Sequence, residues 1–358
     1  MLKLRKKPIP IRAVAMILGL AVSLRLLVAL GAETQIRRVF SALGQNAQLM
    51  QQTLAAQLNP HTIADTAPLS LIPNAEEEDK PLQSWAFSPP ASQTGALPIQ
   101  AISINPKSPG GYVTHGNIYL KNDSSKTIVL KDYLTAPLPF SLTGAGPHVL
   151  IIHTHGSEAY FPEGKDTYTP DDVERTSDKN YNVVRVGNEI ASILKARGIS
   201  VVHDTNLYDS PTYNGSYTRT LNGITRALTR YPSIQVVLDI HRDAMTAENG
   251  VKYKTLATVN GESSAQLMLV LSTGESGLAH PHWQENLKLG VKLQGRLSDR
   301  YPGLMRPINL RKDRFNMHAT KGSLLVEVGT SANSLSEALV AVRPLAEELA
   351  NILSEVKQ

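Results

Sequence analysis

Apolar and polar positions divide this chain into a first third with little to bury and a remainder where short apolar runs alternate with amphipathic ones. From residue 147 onward the pattern predicts a strand at 148–153, a helix at 181–197, a strand at 199–203, a helix at 217–230 and a strand at 234–240. A strand pair near 252–271, a helix at 282–299, a strand at 323–328 and a helix at 334–356 follow. Strands interleaved with helices indicate an α/β fold, a sheet flanked by helices on both faces. Gly198 is placed to stop the first helix and Ser334 to cap the last. Ahead of this unit, bounded at 147–358, the runs Gly-Asn-Ile-Tyr-Leu and Thr-Ile-Val-Leu suit a small β lead-in at 105–146.

The first third has a different character. Residues 13–31 are apolar except for Arg25 and are long enough for a bilayer core of ~30 Å. Lys3, Arg5, Lys6, Lys7 and Arg12 precede them, which predicts a single transmembrane helix within 1–34, an inside N-terminus and an extracytoplasmic remainder. A cleaved signal peptide competes with this, since Ala29, Gly31 and Ala32 are small enough for a cleavage site. Residues 35–58 have helix-compatible spacing. The stretch beyond them, with Glu76-Glu77-Glu78-Asp79 and Pro68, Pro73, Pro81, Pro89, Pro90 and Pro98, reads as a tether, so 35–104 is assigned to a linker.

The net charge of +5 is modest, and its basic residues gather before the apolar segment. They read as a membrane-orientation signal, which leaves no nucleic-acid patch. The absence of cysteine excludes disulfides and thiolate chemistry, leaving histidine and carboxylate as metal donors.

Those donors stand at strand ends. The run His148-Val-Leu-Ile-Ile-His153-Thr-His155-Gly-Ser-Glu158 delivers two histidines and a carboxylate where an apolar strand stops. Residues two apart on a strand share a face, so His153 and His155 are expected to point the same way. A second apolar run ends in His241, and Glu327 interrupts a third. A carboxylate in a core strand costs several kcal/mol unless a metal, a partner charge or a shifted pKa compensates. With the three strands adjacent in one sheet, His155, Glu158 and His241 hold a metal and Glu327 faces water as general base. Imidazole with carboxylate suits zinc (Zn2+), which needs three ligands and an open position. The bland alternatives are ordinary polar residues at a strand exit and, for Glu327, an ion pair with Arg242 or Arg314.

The text His153-Thr-His-Gly-Ser-Glu-Ala-Tyr160, Asp239-Ile-His-Arg-Asp243, Arg314-Phe-Asn316 and Leu325-Val-Glu-Val-Gly329 resembles stage II sporulation protein P, a family of cell-wall hydrolases related to zinc-dependent N-acetylmuramoyl-L-alanine amidases. The resemblance spans 147–356 and implies cleavage of the amide between N-acetylmuramic acid and L-alanine during engulfment of the forespore. Peptidoglycan glycan strands and stem peptides are the implied substrate, and stage II sporulation proteins D and M the implied partners. Family members are also associated with cleavage of peptide cross-links. The wider amidase group has a histidine before glycine, a second histidine after isoleucine and a catalytic glutamate in Val-Glu-x-Gly, matching His155-Gly156, Ile240-His241 and Glu327-Val-Gly329. Its glutamate ligand opens the helix after the first loop, where this chain reads Asp178-Lys-Asn-Tyr-Asn182. Glu158 is therefore the substitute ligand, with Asp178 and His153 in reserve.

Arg242 and Asp243 are candidates for orienting His241, or for a surface ion pair; Arg314 and Asn316 are candidates for touching substrate carbonyls or carboxylates. Tyr160, Tyr168, Tyr181, Tyr208, Tyr213 and Tyr217 suit either a glycan or stem-peptide groove or loop packing. His280 and His282 are expected at the surface. Ser157 lacks the Gly-x-Ser-x-Gly elbow of a serine hydrolase. Two other classes stand beside the amidase: a different HxH metal-dependent hydrolase, which needs further ligands on later barrel strands, and a non-catalytic amidase-like scaffold that binds wall, which would lack a ligand or the base.

Overall fold

The computed structural model describes residues 95–357 apart from 171 and 173. The expected membrane segment at 13–31, the helical stretch at 35–58 and most of the linker lie outside the described residues. Among the described residues no helix is long and apolar enough to cross a membrane.

An eight-stranded sheet organises the fold. In chain order its strands are β2 (Val113–His115), β3 (Ile118–Asn122), β4 (Val149–Ile152), β6 (Val201–His203), β7 (Val236–Asp243), β10 (Leu267–Ser272), β11 (Ile308–Arg311) and β12 (Gly322–Thr330). Across the sheet the order is β2-β3-β11-β10-β12-β7-β4-β6, so the strands ending in His241, Glu327 and the His153-Thr-His155 turn are consecutive neighbours. β4, β7 and β12 run parallel, and β10 is antiparallel to β12. The hairpin β2–β3 joins the sheet through β11. A smaller sheet, β5-β1-β8-β9, comprises β1 (Leu97–Ile102), β5 (Thr167–Tyr168), β8 (Lys252–Val259) and β9 (Glu262–Ala265).

Every residue of β7 and β12 is buried because helices cover both faces. Val149 and Ile151 of β4 and Val236, Leu238 and Ile240 of β7 pack on one face with α2 (Val183–Ala196) and α5 (Leu335–Ser354). The alternate residues Leu150, Ile152 and Val237 meet Ile224 of α3 (Ser216–Arg230) on the other. This alternation matters for chemistry, since Asp239 and His241 follow Val237 in register and project to the α3 side. α1 (Leu130–Thr135) and α4 (Trp283–Arg300) complete the helices.

Local signals fix the helix ends. Asn182 caps α2 by accepting from Val184 N–H, and Gly198 beyond its end adopts φ +75°. Ser334 and Glu337 form a capping box on α5. The expected strand pair at 252–271 is three strands. β8 and β9 turn back through Asn260 and Gly261, both at positive φ, and β10 crosses to the main sheet. Three strands carried no sequence signal, the two-residue β5 among them. Pro98 obscures β1, which lies within the expected linker and pairs with β8; β11 is four residues long, too short for periodicity to register.

Gly329 positions the end of β12. It adopts φ +65° where the register with β7 shifts between Glu327 and Thr330. A Cβ there lies 2.7 Å from Asn333 Oδ1 and 2.8 Å from Ala265 Cβ. Gly329→Ala is expected to destabilise the fold by about 1–2 kcal/mol from backbone strain alone, seen as a lower urea midpoint at unchanged m-value. An unchanged midpoint would show that the bulge relaxes freely.

Candidate metal centre

β4 ends at Ile152, and this sets the fate of the histidines after it. The chain leaves extended geometry before His153, so the two-residue alternation expected of His153 and His155 fails. His153 turns under α2, where Nδ1 donates to the Ile240 carbonyl at 3.0 Å and Nε2 lies 2.8 Å from His203 Nε2. A Cβ on Gly187 of α2 would come within 2.7 Å of His153 Nε2, so the helix backbone seals this pocket. Burial lowers the His153 pKa to about 4, and the ring stays neutral. His153 thus lies outside the His155–Glu158–His241 group.

His155 lies on the other side, stacked on Tyr213 with centroids 4.4 Å apart and edge-on to His241 at 5.0 Å. Its turn is tied to β7 through Asp239, which accepts from Thr154 N–H at 2.8 Å and Thr154 Oγ1 at 2.6 Å. Asp239 Oδ1 also stands 3.0 Å from His241 Nε2, a close ionic contact without the alignment of a hydrogen bond. Burial alone raises the Asp239 pKa, but the His241 charge and the Thr154 bonds outweigh it and hold it below the ordinary carboxylate value.

Glu158 sits between the two imidazoles. Oε1 is 3.5 Å from His155 Nδ1 and 3.6 Å from Arg175 Nη2, while Oε2 is 3.4 Å from His241 Nδ1 and accepts from Arg242 N–H at 3.1 Å. Burial pushes this carboxyl up, yet its contacts with both histidines prevail and keep it well below the usual range. The Val183 N–H donates to the Glu158 carbonyl at 2.9 Å. Glu158 therefore lies beside the start of α2 in space although it comes 25 residues earlier in sequence. Asp178 is exposed and accepts from Asn180 N–H, far from a ligand's part.

Burial lowers the His155 pKa against the opposing pull of Glu158. For His241 burial also lowers it, but Asp239 and Glu158 together raise it well above the ordinary value. Glu327 stands opposite His241 across the β7–β12 ladder. Burial first, then the Asp243 carboxylate, push Glu327 up to about 8, with His241 pulling the other way.

Ligand atoms of His155, Glu158 and His241 all lie within 4.8 Å of one another. His155 Nε2, His241 Nε2 and Glu327 Oε2 are buried without a hydrogen-bond partner. An orphaned buried polar atom costs about 1–3 kcal/mol, and such atoms on residues that adjoining strand ends bring together fit a bound cation. Two imidazoles with one carboxylate are donors that zinc accepts.

The remaining expectations change on contact with the structure. Arg242 and Asp243 form no surface pair. Buried Arg242 donates to the Ala159 and Glu174 carbonyls, and Asp243 accepts from buried Arg306 at 2.8 Å. Neither Arg242 nor Arg314 neutralises Glu327. Arg314 is buried and donates to the Ala279 carbonyl, and the Asn316 amide donates to the Tyr217 carbonyl at 2.7 Å. His280 is buried rather than exposed, between Ser272 and Asn286. Of the tyrosines, 160, 168, 208 and 217 are buried, so a groove of all six is not formed. Tyr213 stacks on His155, a candidate ligand, and Tyr217 meets the same ring edge-on. Sequence reasoning missed Asp239, whose signal was a carboxylate two residues before His241 on an apolar strand. It also missed Arg175 and Asp209, which arrive from loops and leave no periodic trace.

Fold and cluster together define an α/β protein with a candidate His–Glu–His metal centre at the end of its central parallel strands. The profile of Stage II sporulation protein P (SpoIIP) matches residues 75–350, well over half of the sequence, and the chain belongs to this family. It is 28% identical over 229 residues to Stage II sporulation protein P of Bacillus subtilis (strain 168), an alignment covering 61% of this chain and 53% of that protein. The match thus takes in about half the relative's length. Among solved structures it is similar to the N-acetylmuramyl-L-alanine amidase Ami1 of Mycobacterium smegmatis, at 13% identity over 59% of this chain and 98% of that one, TM-score 0.36. The CwlD amidase of Clostridioides difficile, solved with the GerS lipoprotein, gives 13% identity, 58% and 99% coverage and TM-score 0.36. The α/β assignment stands on strand order and helix packing instead.

His241 generates a test. Its raised pKa means that the metal-free ring carries a proton at neutral pH, and a metal must displace that proton. Apparent zinc affinity should therefore weaken as pH falls, and uptake at neutral pH should release protons, seen by calorimetry in buffers of different ionisation enthalpy. His155→Ala and His241→Ala should each lower zinc stoichiometry. Stoichiometric metal in either variant, or pH-independent affinity, removes that residue from the ligand set.

Proposed function

We propose that this protein is a zinc-dependent peptidoglycan hydrolase that cuts the amide between N-acetylmuramic acid and L-alanine during sporulation. The observation that carries the reading is the buried His155–Glu158–His241 cluster with an unpartnered carboxylate, Glu327, on the next strand in register with His241. Family membership supports the sporulation setting. With the reading go a membrane anchor at 13–31, an extracytoplasmic site, and stage II sporulation proteins D and M as partners.

His155, Glu158 and His241 would hold the metal. Zinc, when bound, supplies Lewis acidity, which withdraws electron density from the scissile carbonyl and acidifies water. Glu327 takes the proton of the attacking water and returns it to the leaving nitrogen. Its environment suits that exchange: a carboxyl pushed up to about 8 by burial and Asp243 both accepts and surrenders a proton near neutrality, and cationic charge nearby draws the value down. Arg306 pairs with Asp243 at 2.8 Å and keeps that carboxylate fixed beside the base.

Digestion of purified wall by the zinc-loaded protein should release stem peptides with free L-alanine amino termini, identified by mass analysis. Glu327→Gln should retain zinc and fold while losing at least about 10²-fold in turnover. Glu327 works only when ionised, so activity should rise with pH along an acidic limb through its pKa. That limb should vanish in Glu327→Gln. A variant of near-normal activity removes Glu327 from the mechanism, and loss of zinc makes it a ligand.

A further inference from the structure

Arg175 lies in the loop before α2, where its backbone bridges that of Glu158. Its side chain is 39% exposed, while the carboxylates it meets are buried. Nη1 donates to Asp209 Oδ2 at 2.8 Å and to Ser157 Oγ at 3.2 Å. Asp209 is itself fixed by the Ser157 N–H and hydroxyl. Nη2 forms an ion pair with Glu158 Oε1 at 3.6 Å, beyond hydrogen-bonding range. The guanidinium carbon is 4.9 Å from the centre of the Tyr213 ring, which stacks on His155. One end of the fork is thus held rigidly beside the candidate metal centre, and the Nε–Nη2 edge donates no hydrogen bond to any described residue. The other guanidiniums at the site, Arg242 and Arg306, are buried and bonded elsewhere.

We infer that Arg175 is a specificity-determining residue whose Nε–Nη2 edge takes a carboxylate of the stem peptide, an inference that rests on the amidase reading of the site. A planar fork held in place by Asp209 and Tyr213 matches a carboxylate in two parallel hydrogen bonds and loses little freedom on binding. Charge decides which side of the scissile bond it contacts. The glycan is neutral here, because the lactyl carboxyl of muramic acid is consumed in the amide. Any carboxylate in reach belongs to the peptide leaving group, and the first one after L-alanine is on the glutamyl residue.

The test compares two ligands whose glutamyl γ-carboxyl is capped as a methylamide, as it is within a stem peptide: N-acetylmuramoyl-L-alanyl-D-glutamate with its α-carboxylate free, and the counterpart with that group amidated (D-isoglutamine), on the zinc-loaded full chain. Binding is measured in the Glu327→Gln background. The free carboxylate should bind about tenfold tighter than the amide, Arg175→Met should bring the ratio near one, and Arg175→Lys should retain part of it. A ratio near one with Arg175 intact, a ratio that survives Arg175→Met, or no binding of either ligand overturns the assignment. The Arg175-intact ratio decides alone if Arg175→Met fails to fold. Digestion of wall by the chain with Glu327 intact judges the amidase reading separately, so an inactive chain that still prefers the carboxylate leaves Arg175 standing while the amidase reading falls.

Discussion

Buried carboxylates need compensation, and the arrangement at the ends of β4, β7 and β12 follows from how four of them obtain it. Glu158, Asp239, Asp243 and Glu327 are all nearly removed from water. An isolated ionised carboxylate in such a place costs several kcal/mol. Asp239 has Thr154 and His241; Glu158 has both histidines, the Arg242 N–H and Arg175; Asp243 has Arg306. Glu327 has no such partner, and its pKa rises to about 8 instead. The same constraint thus separates three carboxylates with partners from one, Glu327, that changes its protonation state. It also bends the loops, since Arg242 and Thr154 reach their carboxylates only because the 153–158 turn folds back over β7.

Much of this was legible in the amino-acid sequence because strand ends are written locally. An apolar run that stops before His155 or at His241, or is broken by Glu327, marks both an element and its chemistry, and parallel packing brings the three together. The error over His153 came from one residue of strand length: alternation holds only while the chain stays extended, and β4 stops at Ile152. Asp178 was a natural reserve for the same kind of reason, as it lies near the start of α2 in sequence. Glu158 reaches that place in space through its bridge to the loop. Helix ends at Gly198 and Ser334 were legible from capping chemistry, whereas β1 and β11 were too short or too interrupted to show a period. Arg175, Asp209 and Tyr213 meet across loops separated by many residues, and nothing in local pattern encodes such a meeting.

The two faces of the sheet divide the labour. On the side of α2 and α5, aliphatic residues interlock from Val149 to Leu349, and His153 is folded into that side as a neutral ring. On the side of α3, the aliphatic layer is thinner and gives way to Asp239 and His241. β7 therefore carries core on one face and chemistry on the other along the same eight residues.

Strand order has a consequence for how such a molecule is made. β12 lies between β7 and β10 near the middle of the sheet, yet among the described residues it is the last strand in sequence. β4 and β7 already pair directly, so a nascent polypeptide that has emerged as far as β11 carries His155, Glu158 and His241 on adjoining segments and has nothing in the place of Glu327. Under the proposed function, the residues that would hold a metal are thus paired before the residue that would transfer the proton. For a protein whose proposed substrate is the cell's own wall, this strand order would withhold the proposed base from the site until β12 enters the centre of the sheet.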